Sequence, residues 1–221
     1  MKQWLGDESQ ALRNEERSSL VKRIIPVLLV VSALFAQQVT AQRSSSESRR
    51  TQRDEQTDFG AEEPIKHPIK IPDAVLQLLK QDERVQQCLE EAHQADEIAS
   101  WFTASTIDLN GDHQPDVVVK PEKFCLFGAN IVPVWVFRKV GNDYKLALKT
   151  HSLNLNILQT KTNGYRDISV AALSAAMIFG ATYKFDGQRY VPRKCYEKSM
   201  EKAKSKITYF KCSENPEKPY R

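Results

Sequence analysis

The apolar positions of this chain change their spacing along its length. In residues 71–98, Val75, Leu78, Leu79, Val85, Cys88, Leu89 and Ala92 recur at three- and four-residue steps, the period that lines one face of a helix. Pro72 suits a first helical turn, where a missing N–H leaves no bond unmade, and a break is expected near Asp82. After Trp101 the period falls to two, and Asn110-Gly111, Gly141-Asn142-Asp143, Asn163-Gly164 and Asp186-Gly187 separate short runs rich in Val, Ile, Phe and Tyr. The pattern predicts antiparallel strands at about 102–109, 116–119, 134–140, 144–148, 153–158, 167–173, 181–185 and 189–193. YKFDGQRYV, residues 183–191, is the clearest hairpin, because Asp-Gly supplies the positive φ angles of a tight turn. Residues 196–205 read as a helix polar on all sides, and ITYFKC (207–212) is expected to return to the body if Cys212 is bridged. No period of 20 to 50 residues repeats, which argues against a solenoid or propeller. The expected fold is α+β, an N-terminal helical segment packed on a curled antiparallel β-sheet.

The two ends carry different signals. Lys22 and Arg23 precede an apolar run of 13 residues from Ile24 to Ala36, and Val39 and Ala41 then occupy the small-residue positions of a cleavage site. This is the order of a secretory signal peptide over residues 1–41. The run is short for a bilayer span, which takes about 20 apolar residues; a single N-terminal membrane anchor is the alternative. Residues 42–71 are dense in Ser, Gln and charge, with Phe59 as their one aromatic residue, and are expected to form a disordered polar linker. The folded domain is expected over 72–195.

Removing residues 1–41 takes 5 basic and 4 acidic side chains from the chain's 32 and 28, which leaves a net charge of +3. From Arg193 onward there are 9 basic and 4 acidic residues, so the excess lies in the segment 196–221 and its approach. A basic tail suits an anionic partner in the envelope or outside the cell. No aromatic residue interleaves with the lysines of EKSMEKAKSK (197–206) as a nucleic-acid stacking platform requires, so nucleic acid is not the expected partner.

All four cysteines, Cys88, Cys125, Cys195 and Cys212, fall in the part expected to meet oxidising conditions, and an even count there suggests two disulfides. Three pairings are open. No pair has C-x-x-C spacing, and His67, His93, His113 and His151 form no ligand cluster, which argues against a transition-metal centre.

The most specific chemistry lies in IDLNGDHQPDVVV, residues 107–119. Calcium takes six to eight oxygens, so a short loop binds it when oxygen-bearing side chains alternate. Asp108, Asn110, Asp112 and Asp116 stand at loop positions 1, 3, 5 and 9, with the Gln114 carbonyl at position 7. Position 6 is His113 instead of Gly and position 12 is Val119 instead of Glu, and both flanks read as strands, so the loop is not an EF-hand. The competing account is a turn without an ion, in which Asp108 and Asn110 form Asx turns and Gly111 supplies the bend.

DLNGDHQPD resembles the D-x-N-G-D-x-x-x-D loop of the FG-GAP and VCBS repeats, a strand-loop-strand turn that binds calcium in extracellular proteins. The match covers some 13 residues and occurs once here, with His113 in place of the usual Gly. Residues 82–196 are more broadly similar to bacterial secreted proteins of unassigned function that carry one such loop, through stretches like CLFGANIVPVWVFRK, TNGYRDI and YKFDGQRY. The resemblance implies a structural calcium ion as cofactor and no particular activity.

Two further stretches are candidates for a ligand surface: Phe127 and Trp135 in FCLFGANIVPVWVF, and Tyr165, Arg166 and Asp167 after the Asn163-Gly164 turn. Core packing and a hairpin salt bridge are their structural alternatives. A nucleophile elbow and a phosphate-cradling glycine loop are absent, and the one Ser-x-x-Lys beyond residue 41, Ser199 with Lys202, lacks its companion motifs. The expected role is non-catalytic: an exported binding or envelope scaffold protein with one calcium loop. The alternatives are a small extracytoplasmic hydrolase or enzyme inhibitor with a cleft between the 125–130 and 163–167 loops, and a basic-tailed adhesin.

Overall fold

The computed structural model describes residues 55–92, 98–128, 131–200 and 206–213. The signal-like segment, the linker up to residue 54, residues 93–97 with His93, residues 129–130 and tail residues 201–205 and 214–221 lie outside the described residues. Among the described residues, no helix is long and apolar enough to cross a membrane.

The domain is mainly antiparallel β with two short helices. Helix α1 spans Asp73–Lys80 and α2 spans Glu83–Ala92, so the expected break falls at Asp82. The Asp82 Oδ1 accepts the Arg84 N–H at 3.0 Å, satisfying a donor of the first turn of α2. Its Oδ2 accepts the Trp135 indole N–H at 3.0 Å and pairs with Lys149 Nζ, also at 3.0 Å.

The described residues form ten strands: β1 Asp58–Gly60, β2 Phe102–Ile107, β3 Asp116–Pro121, β4 Val132–Val140, β5 Asp143–Ser152, β6 Asn154–Thr162, β7 Tyr165–Ser174, β8 Met177–Phe185, β9 Tyr190–Ser199 and β10 Ile207–Phe210. They form two sheets where the sequence suggested one: four strands in the order β2-β3-β4-β5, and six in the order β1-β6-β7-β8-β9-β10. Between β5 and β6 the chain passes from the four-stranded sheet to the six-stranded one through a single residue, Leu153. Leu153 donates its N–H to the Ala171 carbonyl and accepts the Ala61 N–H, each at 2.7 Å.

The side-chain alternation of the four-stranded sheet explains its continuous apolar runs. Val118, Val134 and Val136 point into a core shared with Leu155, Ile168, Val170 and Tyr183 of the six-stranded sheet. Val117, Val119, Trp135 and Phe137 point the other way, into a cluster with Val75 and Leu79 of α1 and Val85 and Cys88 of α2. Every residue of β3 is buried. A strand covered on both faces has no polar side to show, so alternation disappears from its sequence.

Both ends of the expected domain shift outward. Phe59 of β1 is 1% exposed, and Ile65 and Ile71 are buried, so residues 55–71 are folded instead of belonging to a linker. Lys120 of β3 is buried and donates its ammonium to the Gly60 and Glu63 carbonyls, which fastens this segment down. At the other end, residues 196–199 continue β9 as a strand instead of starting a helix, and β10 pairs with them. Cys88 stands at disulfide distance from Cys125 and Cys195 from Cys212, with Cα separations of 5.5 and 5.2 Å. The first pair joins α2 to the short 3-10 turn at Phe124–Leu126; the second holds the chain just after β10 against β9.

Candidate functional site

The oxygen-rich loop joins β2 to β3, and its side chains turn first to their own backbone. Asp108 Oδ1 accepts the Gly111 N–H at 2.7 Å and Oδ2 the His113 N–H at 3.2 Å. Asn110 Oδ1 accepts from Asp112 N at 3.1 Å, and Asp112 Oδ1 from Gln114 N at 2.7 Å. These are Asx-type contacts, which hold a turn without help from outside. Gly111 and His113 take positive φ angles of 88° and 62°, so His113 adopts the left-handed bend that a Gly usually supplies at this position.

Asp116 has a different task. It is 2% exposed; Oδ2 accepts the Leu109 N–H at 3.0 Å and Oδ1 the Lys139 N–H at 2.7 Å. One carboxylate therefore pins the entry of the loop to the far end of β4. Burial raises its pKa from 3.8 to about 6, against the two backbone bonds that lower it, and the charges of Asp112 and Asp108 add to the rise.

The loop is also tied to the six-stranded sheet. Arg166 donates its backbone N–H to the Leu109 carbonyl at 2.7 Å, and Lys161 Nζ donates to the Asn110 carbonyl at 3.1 Å. Glu55 bridges the two sides: its Oε1 accepts the Asp108 N–H at 2.7 Å and its Oε2 pairs with Arg166 Nη1 at 2.6 Å. The guanidinium of Arg166 further donates to the Leu158 and Ile157 carbonyls at 3.0 and 3.4 Å. Tyr165 OH stands 3.4 Å from Asn110 Nδ2.

The donor set is all oxygen, as calcium prefers, and a carboxylate that accepts amide bonds keeps lone pairs for a cation because its two oxygens carry about four acceptor sites. Asp108, Asn110, Asp112, Asp116 and the Gln114 carbonyl are thus chemically suited to one hard ion. Among the described residues, however, no three His, Cys, Asp or Glu side chains stand grouped as a ready metal cluster. Occupancy would call for rotation of Asp108, which is half-buried, or of Asp112, which is exposed.

The proposed ligand surface does not assemble. Trp135, Arg166 and Asp167 are 1%, 3% and 3% exposed, because Trp135 fills the cluster under the helices and Arg166 holds Glu55. Asp167 Oδ2 accepts from Thr160 Oγ1 at 2.8 Å, and its Oδ1 has no hydrogen-bond partner among the described residues. Tyr165 lies on Phe185 with ring centroids 4.0 Å apart, and Phe127 meets Phe124 edge-on at 6.5 Å. Residues 125–127 are bound to α2, through Cys125 and through Arg84, which donates to the Leu126 and Phe127 carbonyls. The 163–167 segment is bound to the oxygen-rich loop. Sequence reasoning missed Glu55, which lay in the expected linker, and the pairing of Asp116 with Lys139; separations of 111 and 23 residues leave no local pattern to read.

No family model matches this chain, and neither do any curated protein or any solved structure.

Proposed function

We propose that this is an exported, non-catalytic binding or envelope scaffold protein in which the 108–116 loop holds one calcium ion as a structural ligand. Asp108, Asn110, Asp112 and Asp116 would supply side-chain oxygens and Gln114 its carbonyl. The observation that carries this reading is the position of the loop: its backbone and side chains bond to Glu55, to the end of β4 and to β7, so an ion there acts on the stability of the whole domain and not on a substrate. Export is supported by the signal-like residues 1–41 and by two cysteine pairs at disulfide distance, which persist in oxidising compartments. The resemblance to the FG-GAP and VCBS loop supports the same assignment. The helices lie over one sheet in this reading as a fixed support, leaving the outer surfaces for partners.

Calorimetric titration of the chain lacking residues 1–41 with calcium, beside melts with and without chelator, tests the ion. Saturable binding that raises Tm, and that is lost in Asp112→Ala, is the expected result. An identical melt in chelator with no heat of binding would leave the loop as a self-contained turn. Processing is tested separately, by determining the N-terminus of the protein recovered from the cell envelope or the medium.

A further inference from the structure

The outer face of the six-stranded sheet carries a second arrangement that the sequence hides. Directly paired residues on neighbouring antiparallel strands point to the same side, and Phe210 and Cys195, a register pair, face the core. Their neighbours Tyr209 and Tyr196, also a register pair, therefore face outward, as do Lys194, Lys198 and Ile207. Tyr209 and Ile207 are 58% and 45% exposed. Tyr196 lies across Gly180, where a Cβ would overlap its ring, so glycine at that position lets the tyrosine lie down on the sheet. The two tyrosines meet edge-on at 6.2 Å, and Lys194 Nζ sits 4.4 Å from the centre of the Tyr209 ring.

Along β9 the outward order is Lys194, Tyr196, Lys198, with Lys184 outward on β8 next door. Two lysines four residues apart on a strand are roughly 13 Å apart, with aromatic rings between them. Among the described residues, charge on this face is one-sided: on the paired rows the acidic side chains are Asp167, which is buried, and Asp58, on β1 at the opposite edge of the sheet. Flat rings flanked by cations spaced along a line fit a chain-like anion that offers both a ring face and repeated negative charge.

We propose that this face binds an acidic polysaccharide, with Tyr196 and Tyr209 packing against sugar rings and Lys194 and Lys198 pairing with successive carboxylates. Single-stranded nucleic acid shares the chemistry of charge and stacking; the two cysteine pairs at disulfide distance, which suit an oxidising compartment, favour the glycan. The proposal deepens the reading of an exported binding domain and rests on it.

The test is affinity electrophoresis and calorimetry of the chain lacking residues 1–41 with polygalacturonate, with dextran, oligo(dT) and anionic phospholipid vesicles as comparison probes, at low and high salt. Binding to polygalacturonate is expected to exceed binding to the other three and to weaken with salt, since surface charge pairs are screened. Lys194→Gln with Lys198→Gln should weaken it about ten-fold, and Tyr209→Ala several-fold. Each variant should melt with the wild type, because the side chains are at the surface. Equal binding by wild type and variants would move the site elsewhere and overturn this proposal while leaving the binding-domain reading intact. Tighter binding of oligo(dT) or vesicles overturns the choice of polysaccharide. Failure of every probe to bind overturns the face as an anion site, whereas catalytic breakdown of polygalacturonate would overturn the non-catalytic reading itself.

Discussion

Asp116 shows how one buried side chain can set a pH response. Its carboxyl binds a proton in the folded state up to about pH 6, against 3.8 in the unfolded chain. The stability this contributes is fully present below 3.8 and is lost as pH rises through about 6. Calcium-free protein should therefore become less stable between pH 4 and pH 7 by on the order of 2 kcal/mol from this group, and Asp116→Asn should flatten that slope in denaturant titrations. A bound cation would favour the ionised form and shrink the slope as well. Glu55 and Arg166 make the opposite case, a buried guanidinium and a half-buried carboxylate in which each partner needs the other. Arg166→Met leaves the Glu55 carboxylate with the Asp108 amide alone, and should lower unfolding free energy by about 3–5 kcal/mol; the double variant Glu55→Gln with Arg166→Met should recover part of that loss.

Among the elements, β10 is the one most dependent on a single bond. It is a four-residue strand at a sheet edge, with Ile207 and Tyr209 outward, and Cys195–Cys212 closes a loop of 17 residues behind it. Replacing both cysteines by serine should cost about 3 kcal/mol on loop entropy and release the amides of 207–210 to rapid hydrogen exchange before the rest of the sheet. Most other elements were legible in the sequence: the two helices and the break at Asp82 followed from spacing, and eight strands from alternation and turn pairs. The Asn163-Gly164 turn takes φ angles of 50° and 82°, as its residue types require. The strand β1 escaped because it offers one buried residue, Phe59, in polar surroundings. The end of β9 escaped because Lys194, Tyr196 and Lys198 face outward while Glu197 interrupts the inward row, which mimics a polar helix. Period two also says nothing about which strands are neighbours, so the division into two sheets could not be read. At the oxygen-rich loop the spacing was legible and the partners were not, since Lys139 and Arg166 arrive from distant strands and Glu55 from the segment before β1.

For the molecule as a whole, the four-stranded sheet takes part in two cores at once. Val118 belongs to the core between the sheets and Val119 to the core with the helices, and both are 0% exposed. Val118→Ala and Val119→Ala should each lower stability by about 2 kcal/mol, and each should shift a single calorimetric transition of residues 55–213 without splitting it, because neither core survives loss of the sheet they share. Two resolved transitions in either variant would show that the cores fold independently. The passage from β5 to β6 at Leu153 bears on what two copies of this protein can exchange. A hinge this short can straighten into one continuous strand that pairs with a second copy, and what holds the corner shut is the bonding of Leu153 to Ala171 and Ala61. Conditions that loosen those two contacts should therefore let β6 to β10 of one copy settle on the four-stranded sheet of another, giving interlocked dimers in size-exclusion runs at high concentration.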